Sequence, residues 1–436
     1  MSCYSDQRFS FSALLVLCLF ALSHPIAWGQ VQRNSTTGLF ELNSTRFKLI
    51  TDLPIDDELV KWPEILDQAV AHWKVYFGAP RDDRELSTTV HLIRDLARFQ
   101  AAGLLRDVPP FDEGYQYGDR LFLREQPTPY YRRHLFLHEA THWYMWHVFG
   151  GGGSPWYMEG MADLQATHAW ENETLRLGIL PGSPLQVPYW GRLKAIHETL
   201  GQGKAPSLGA ILAYENDRDR TIRYSWSWAA CVFFANHPKF GPILQNVRGN
   251  KLDYSEALSR KLKAAIGEDW NEALIDWSGF ISDFEFGYDP QRSLVESGQP
   301  KNAKPLAAKS TMQLRTDRGW QSAGITLEKG QAFRVHCKGR YVVRAKDPNL
   351  PDDRDWESES QGITIEYYRE RPLGCVLASV QSAESNASTN RWETVRVGQG
   401  IELQAETAGL LFLKINEASG KLSDNRGTID VSIEPR

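Results

Sequence analysis

A chain of 436 residues exceeds one ordinary domain and predicts two or three. With 42% hydrophobic and 24% charged residues it has the composition of a globular protein in water. Its formal net charge of −5, with basic clusters no larger than pairs such as Arg132-Arg133, excludes a reason to expect a nucleic-acid partner.

Residues 1–29 read as a secretory signal. Arg8 precedes an apolar run over 11–22, too short to span a bilayer as a mature helix, and Ala27-Trp28-Gly29 offers small residues for cleavage before Gln30. A secreted or periplasmic chain without a transmembrane span is expected. Losing the signal removes Cys3 and Cys18 and leaves Cys231, Cys337 and Cys375, neither a metal cluster nor a disulfide framework. A short strand over 46–50 comes next. Leu59, Ile65, Leu66, Ala69, Trp73 and Phe77 then recur at helical spacing and predict a helix over 59–77. Residues 88–92 alternate as a strand, 96–105 read as a short helix, 114–119 as a turn or loop, and 120–124 as another strand.

The stretch over 128–168 organises the chain. Thr128 can cap a helix, Pro129 suits its first position, and Gly150 to Gly153 end it. Within it stands His138-Glu139-Ala140-Thr141-His142, an H-E-x-x-H motif. Residues four apart lie one above the other on a helix, so His138 and His142 can hold one metal ion with Glu139 beside them as general base. A second helix starts at Ser154-Pro155, with Glu159 and Asp163 again four apart. A catalytic zinc site needs three protein ligands and an open position, so Glu159 can be the third ligand. Asp163 can take the free ring N–H of a ligating histidine. His134, His147 and His168 read as packing or surface residues.

On these residues, H-E-x-x-H followed by E-x-x-x-D on the next helix, the chain resembles the gluzincin metallopeptidases. The wording Pro155-Trp156-x-x-Glu159-Gly160-x-Ala162 is similar to bacterial peptidase-like members of unknown specificity. The resemblance implies one catalytic Zn2+ on His138, His142 and Glu159, Glu139 as base and Asp163 behind the ligands. It also implies that the strand before the zinc helix, at 121–124, lines the cleft beside an extended substrate. Helices over 190–200, 224–236, 254–266 and 270–283 suit the half that closes such a cleft. Relatives place a tyrosine or histidine from that half near the oxyanion, for which Tyr224 is the candidate and Arg223 the rival.

Residues 291–305 are polar and read as a linker. Beyond it the apolar period changes to two, at Ile325/Leu327, Phe333/Val335/Cys337, Ile363/Ile365, Ile401/Leu403, Leu411/Leu413/Ile415 and Ile429/Val431/Ile433. Glycine turns between these runs predict a β-sandwich. Gly319-Trp320, Gly374-Cys375-Val376-Leu377, Leu413-Lys414-Ile415-Asn416 and Asp424-Asn425-Arg426-Gly427 resemble the bacterial galactose-binding lectin sandwich. That resemblance implies a Ca2+ loop, matched here by Glu417, Asp424 and Asn425. Lys421 stands where the lectins carry a threonine, so weak or absent calcium-dependent galactose binding is expected. Cys337, on the inward face with Val335, and Cys375 are a candidate disulfide in an exported chain.

The expected architecture is α+β. A gluzincin-like metallopeptidase domain with a largely helical second half covers 30–290, and a lectin-like β-sandwich covers 306–436. The expected function is zinc-dependent hydrolysis of a peptide or protein substrate, with a glycan or glycoprotein as a further partner. The alternative is a glycan-binding or adhesion protein whose peptidase-like domain keeps zinc structurally.

Overall fold

The computed structural model describes residues 30–78, 86–214, 220–249, 251–298, 300–382 and 392–436; the expected signal segment, 1–29, lies outside them. Six strands form the first sheet: β1 (Gln30–Arg33), β2 (Phe40–Asn43), β3 (Phe47–Thr51), β4 (Thr88–Ile93), β5 (Gly114–Tyr117) and β6 (Arg120–Arg124). Their order is β1-β2-β3-β4-β6-β5, with β3, β4 and β6 parallel and the outer pairs antiparallel. The parallel strands β3, β4 and β6 are buried on both faces, as their apolar runs require. Leu92, Leu121 and Leu123 share a core with α1 (Asp57–Val60), α2 (Trp62–Phe77) and α4 (Pro129–Phe149), where Trp62 stacks on Phe136 at 4.5 Å. Ile50, Ile93 and Phe122 meet Phe99 of α3 (Leu96–Ala101) on the other face.

Two local expectations change here. The helix over 59–77 divides at Lys61, because Pro63 restarts the second piece and has no N–H to continue the first. Residues 114–117 are a strand rather than a loop. They pair with β6 from Gly114↔Leu123 to Tyr117↔Arg120, and the turn is confined to Gly118-Asp119, where Gly118 takes φ 58°. β6 is therefore interior, and β5 is the edge strand.

The chain continues through α5 (Pro155–Ala166) and the hairpin β7 (His168–Glu171)–β8 (Thr174–Leu177). A helical layer follows: α6 (Arg192–Gly201), α7 (Leu208–Leu212), α8 (Arg220–Asn236), α9 (Phe240–Arg248), α10 (Ala257–Ile266) and α11 (Trp270–Asp283). The helix expected from residue 254 begins at Ala257, because the Asp253 carboxylate accepts the Ser255 N–H at 3.0 Å and holds a turn there.

The described residues of segment 291–305 are built into the fold. They leave α12 (Pro290–Ser293), bury Leu294, Val295 and Ser297, and add β9 (Lys304–Pro305) to the next sheet. The β-rich C-terminal part holds β10 (Ser310–Arg315), β11 (Gln321–Leu327), β12 (Ala332–Lys338), β13 (Arg340–Arg344), β14 (Trp356–Glu359), β15 (Ile363–Tyr368), β16 (Arg371–Leu373), β17 (Val376–Gln381), β18 (Val395–Arg396), β19 (Gly400–Gln404), β20 (Gly409–Ile415) and β21 (Thr428–Pro435). Sheets β10-β21-β12-β19 and β18-β17-β20-β11-β9 enclose a core that includes Val335, Leu411, Leu413 and Val431. β15 pairs with β16 outside both sheets, so Ile365 is 73% exposed instead of entering that core.

β20 is buried on both sides. Leu411, Leu413 and Ile415 point into the sandwich, while Leu410 and Phe412 pack with Ile275 of α11, Val295, Trp320 and Trp392. Cys337 lies in the first of these cores and Cys375 in the second, on opposite faces of a sheet layer. Both thiols are free, which corrects the expected disulfide. At the seam, Asp283 accepts from Lys414 at 2.5 Å and from Arg369 at 3.1 Å.

Candidate metal centre

α4 starts where Thr128 accepts the Tyr131 N–H at 3.2 Å and stops at Gly150, whose φ of 82° is left-handed. Its four-residue spacing brings the Nε2 atoms of His138 and His142 to 3.1 Å. The next helix supplies the third atom: Glu159 Oε2 lies 3.3 Å from His138 Nε2 and 3.5 Å from His142 Nε2. Gly160 explains how α5 comes so close to α8, since a Cβ there would stand 2.2 Å from the Ser227 carbonyl oxygen.

These three atoms fit a metal ion. Glu159 Oε2 is buried and makes no hydrogen bond although two ring nitrogens are near, so the atoms converge on a shared point rather than on one another. A tetrahedral ion with bonds of about 2.0–2.1 Å sets its ligand atoms about 3.3 Å apart. The observed 3.1, 3.3 and 3.5 Å bracket that edge.

A second cluster, His134, His138 and Asp163, also has the composition of a metal site. Asp163 is already saturated. Its Oδ1 accepts from His138 Nδ1 at 3.1 Å and Arg192 Nη2 at 3.1 Å and lies 3.3 Å from His134 Nε2, and its Oδ2 accepts from Arg192 Nε at 2.6 Å. That carboxylate fixes the His138 ring with Nδ1 as donor, which leaves Nε2 free to face Glu159 and His142.

The electrostatics separate the three acids. Burial raises the Glu159 carboxyl, but His142 and His138 outweigh it and hold the group well below the usual range. Burial also works against Asp163, where Arg192 and then the two histidines win and keep it ionised. Burial disfavours a charged His138, yet Asp163 and Glu159 raise it to about 10. Glu139 goes the other way. Burial pushes it up, against His138 and His142 and with help from Glu159, as suits a group that takes and returns a proton.

Glu139 opens onto a cleft of about 880 Å³ that β5 lines. Gly114 permits the approach: a Cβ there would lie 2.5 Å from Glu139 Oε1. The cleft-lining strand is thus β5 and not 121–124, because the hairpin turns β6 inward. Tyr224 lines the same cleft, with its ring 6.0 Å from that of His138 and the Arg192 guanidinium 5.4 Å from its centre. Arg223 stacks instead on Tyr214 at 5.2 Å. His147 pairs with Asp119 at 2.5 Å, and His168 accepts from Arg133 at 3.1 Å. Sequence reasoning missed Arg192, Gly114 and Tyr254, none of which has a fixed spacing to the motif.

At the C-terminal loop, Asn425 Nδ2 donates to Glu417 Oε2 at 2.7 Å and to the Thr316 carbonyl at 2.9 Å. Asp424 accepts the Ala345 N–H at 3.1 Å, and Lys421 turns outward to Glu366 at 3.0 Å. Burial, opposed by Asn425 and reinforced by Asp424, pushes Glu417 up to about 8.

No protein-family model and no curated protein matches the chain. Among solved structures it is similar to the N-terminal domain of EclA, a PllA-like lectin, at 17% identity over 29% of this chain and 96% of that one, with a TM-score of 0.22. It is also similar to PliG of Aeromonas hydrophila, a periplasmic inhibitor of g-type lysozyme, at 9% identity over 33% and 95%, with a TM-score of 0.18. Among the described residues no helix is long and apolar enough to cross a membrane.

Proposed function

We propose that the chain is an exported, gluzincin-like metallopeptidase with a lectin-like accessory sandwich. One observation carries this reading: Glu139, a buried acid, stands beside three convergent donor atoms and faces an open cleft. A zinc-type ion held by His138, His142 and Glu159 would supply Lewis acidity and a water whose pKa falls to about 7. Glu139 accepts the proton of the attacking water and returns it to the leaving amine. Asp163 keeps His138 in the tautomer that presents Nε2, and Arg192 keeps Asp163 in place. The Tyr224 hydroxyl is the candidate donor to the carbonyl oxygen as charge develops on it. The edge of β5 offers backbone groups to an extended peptide.

A purely structural zinc would leave both the cleft and the buried Glu139 without a role. For the sandwich, Asn425 engaged with Glu417 and with the Thr316 carbonyl supports weak or absent calcium-dependent galactose binding. The test is metal analysis of the purified protein beside cleavage of a peptide library. The parent protein is expected to hold one zinc and cleave; Glu139→Gln is expected to hold zinc and not cleave. A parent that holds zinc and cleaves nothing, or a Glu139→Gln protein that cleaves as fast as the parent, would refute the reading.

A further inference from the structure

We infer that Tyr254, with Trp146 and Met158, forms a specificity pocket for a bulky apolar side chain of the peptide, next to the bond that is cut. The inference rests on the peptidase reading and goes beyond it by naming the substrate class. The starting observation is the glycine break. Its glycines do more than turn one helix into the next, because segment 252–255 lies directly against them. Leu252 donates to the Phe149 carbonyl at 3.0 Å, and Gly153 donates to the Asp253 carbonyl at 2.7 Å. A Cβ on Gly151 would stand 2.8 Å from the Leu252 carbonyl oxygen. Ser154 Oγ then donates to the Ser255 carbonyl at 3.1 Å and accepts the Ser259 N–H at 3.2 Å. The backbone is tied on both sides of Tyr254, yet the Tyr254 side chain reaches the wall of the cleft that holds Glu139, and the residue is 56% exposed.

The rest of that wall has the same character. Trp146 follows His142 by four residues, so it occupies the same face of α4 one turn further on, and it is 37% exposed. Met158 immediately precedes Glu159 and lies against Gly152, where a Cβ would meet its Cγ at 2.4 Å. Tyr117 of β5, 42% exposed, closes the far side. Exposed aromatics gathered in one cleft mark a binding surface. Outside the site itself, the charged side chains among the described residues of the cleft are Asp119, hydrogen-bonded with His147, and Arg120, whose charge is paired with that of Asp107. An acidic substrate side chain would lose its water there and find the cleft's arginine already paired. A bulky apolar one would bury its surface against two aromatic rings and a thioether.

The experiment uses two peptides of identical flanks, one with a central phenylalanine and one with a central aspartate. Binding is measured by calorimetry to zinc-loaded Glu139→Gln protein, and cleavage is measured with the active protein. The phenylalanine peptide is expected to bind and be cleaved about tenfold or more in preference, the range one apolar group commands in a pocket. Tyr254→Ala and Trp146→Ala are expected to erase most of that preference with zinc content unchanged, whereas Tyr254→Phe keeps it. Equal binding of the two peptides, or full discrimination in Tyr254→Ala, overturns the pocket. Discriminating binding without any cleavage upholds the pocket and refutes the hydrolytic reading. Cleavage without preference does the reverse.

Discussion

Gly114→Ala tests the catalytic geometry from outside the motif. The added methyl would stand 2.5 Å from Glu139 Oε1 and 2.9 Å from Leu135 Cδ1. Ordinary contact needs about 3.4 Å, so something must yield by about 1 Å. The strand resists, because β5 is paired with β6 along its length and Glu113 accepts the Arg124 N–H at 2.7 Å just before it. The Glu139 carboxylate, at the end of a flexible side chain, therefore moves. A displacement of about 1 Å in a reacting group costs on the order of 100-fold in rate, about 2.7 kcal/mol of barrier. Metal content should hold, since His138, His142 and Glu159 are untouched, and overpacking should cost stability by about 1–2 kcal/mol. The assay is kcat on the best library peptide, with zinc analysis and thermal melting on the same preparation. Parent-level kcat at full zinc occupancy would show that Glu139 need not stand where it does, and would refute the argument.

Other outcomes follow from the same geometry. Glu159→Ala is expected to lose zinc under mild chelation, whereas Asp163→Asn keeps the ligands and loses about 10–100-fold in affinity or activity; equal retention of zinc by Glu159→Ala and the parent would remove Glu159 from the ligand set. Lys414→Met leaves Asp283 buried with Arg369 alone and is expected to cost about 3 kcal/mol in denaturant unfolding; an unchanged midpoint would show that the seam does not depend on that ion pair. Glu417, pushed up to about 8 by burial, holds its proton in the fold and releases it on unfolding. Its contribution is therefore complete below the ordinary glutamate range and is lost as pH rises towards 8. Glu417→Gln should flatten that part of the stability profile, and a slope unchanged in the variant would count against the assignment.

The candidate site was legible because it is local. His138, Glu139 and His142 sit within five residues on a helix whose cap, first proline and terminal glycine are all written in the sequence. Glu159 and Asp163 repeat the four-residue spacing on the next helix, so one rule placed both pairs. Gly160, part of the same motif, has a tertiary reason: without a side chain it lets α5 touch the Ser227 carbonyl of α8. The edge strand was harder to read, because Gly114 and the Gly118-Asp119 turn look equally like loop until β6 pairs with them.

What was not legible depends on chain segments that meet only in the fold. Arg192 opens a helix 29 residues after Asp163, and nothing in its own neighbourhood marks it as the partner that keeps that carboxylate ionised. The same holds at the seam. The β20 segment Gly409–Ile415 reads as one alternating strand, but its outward residues Leu410 and Phe412 are apolar, and Lys414 among them is buried. A strand with a solvated face would not carry that pattern. Together with a carboxylate at the end of α11, it requires the sandwich to lie against the helical layer. The segment between them must then be packed rather than free, as buried Leu294, Val295 and Ser297 show. α11 in turn packs Trp277 against Trp226 and Phe233 of α8, the helix that carries Tyr224. The C-terminal sandwich therefore reaches the helix that lines the cleft with Tyr224 through two layers of apolar contact.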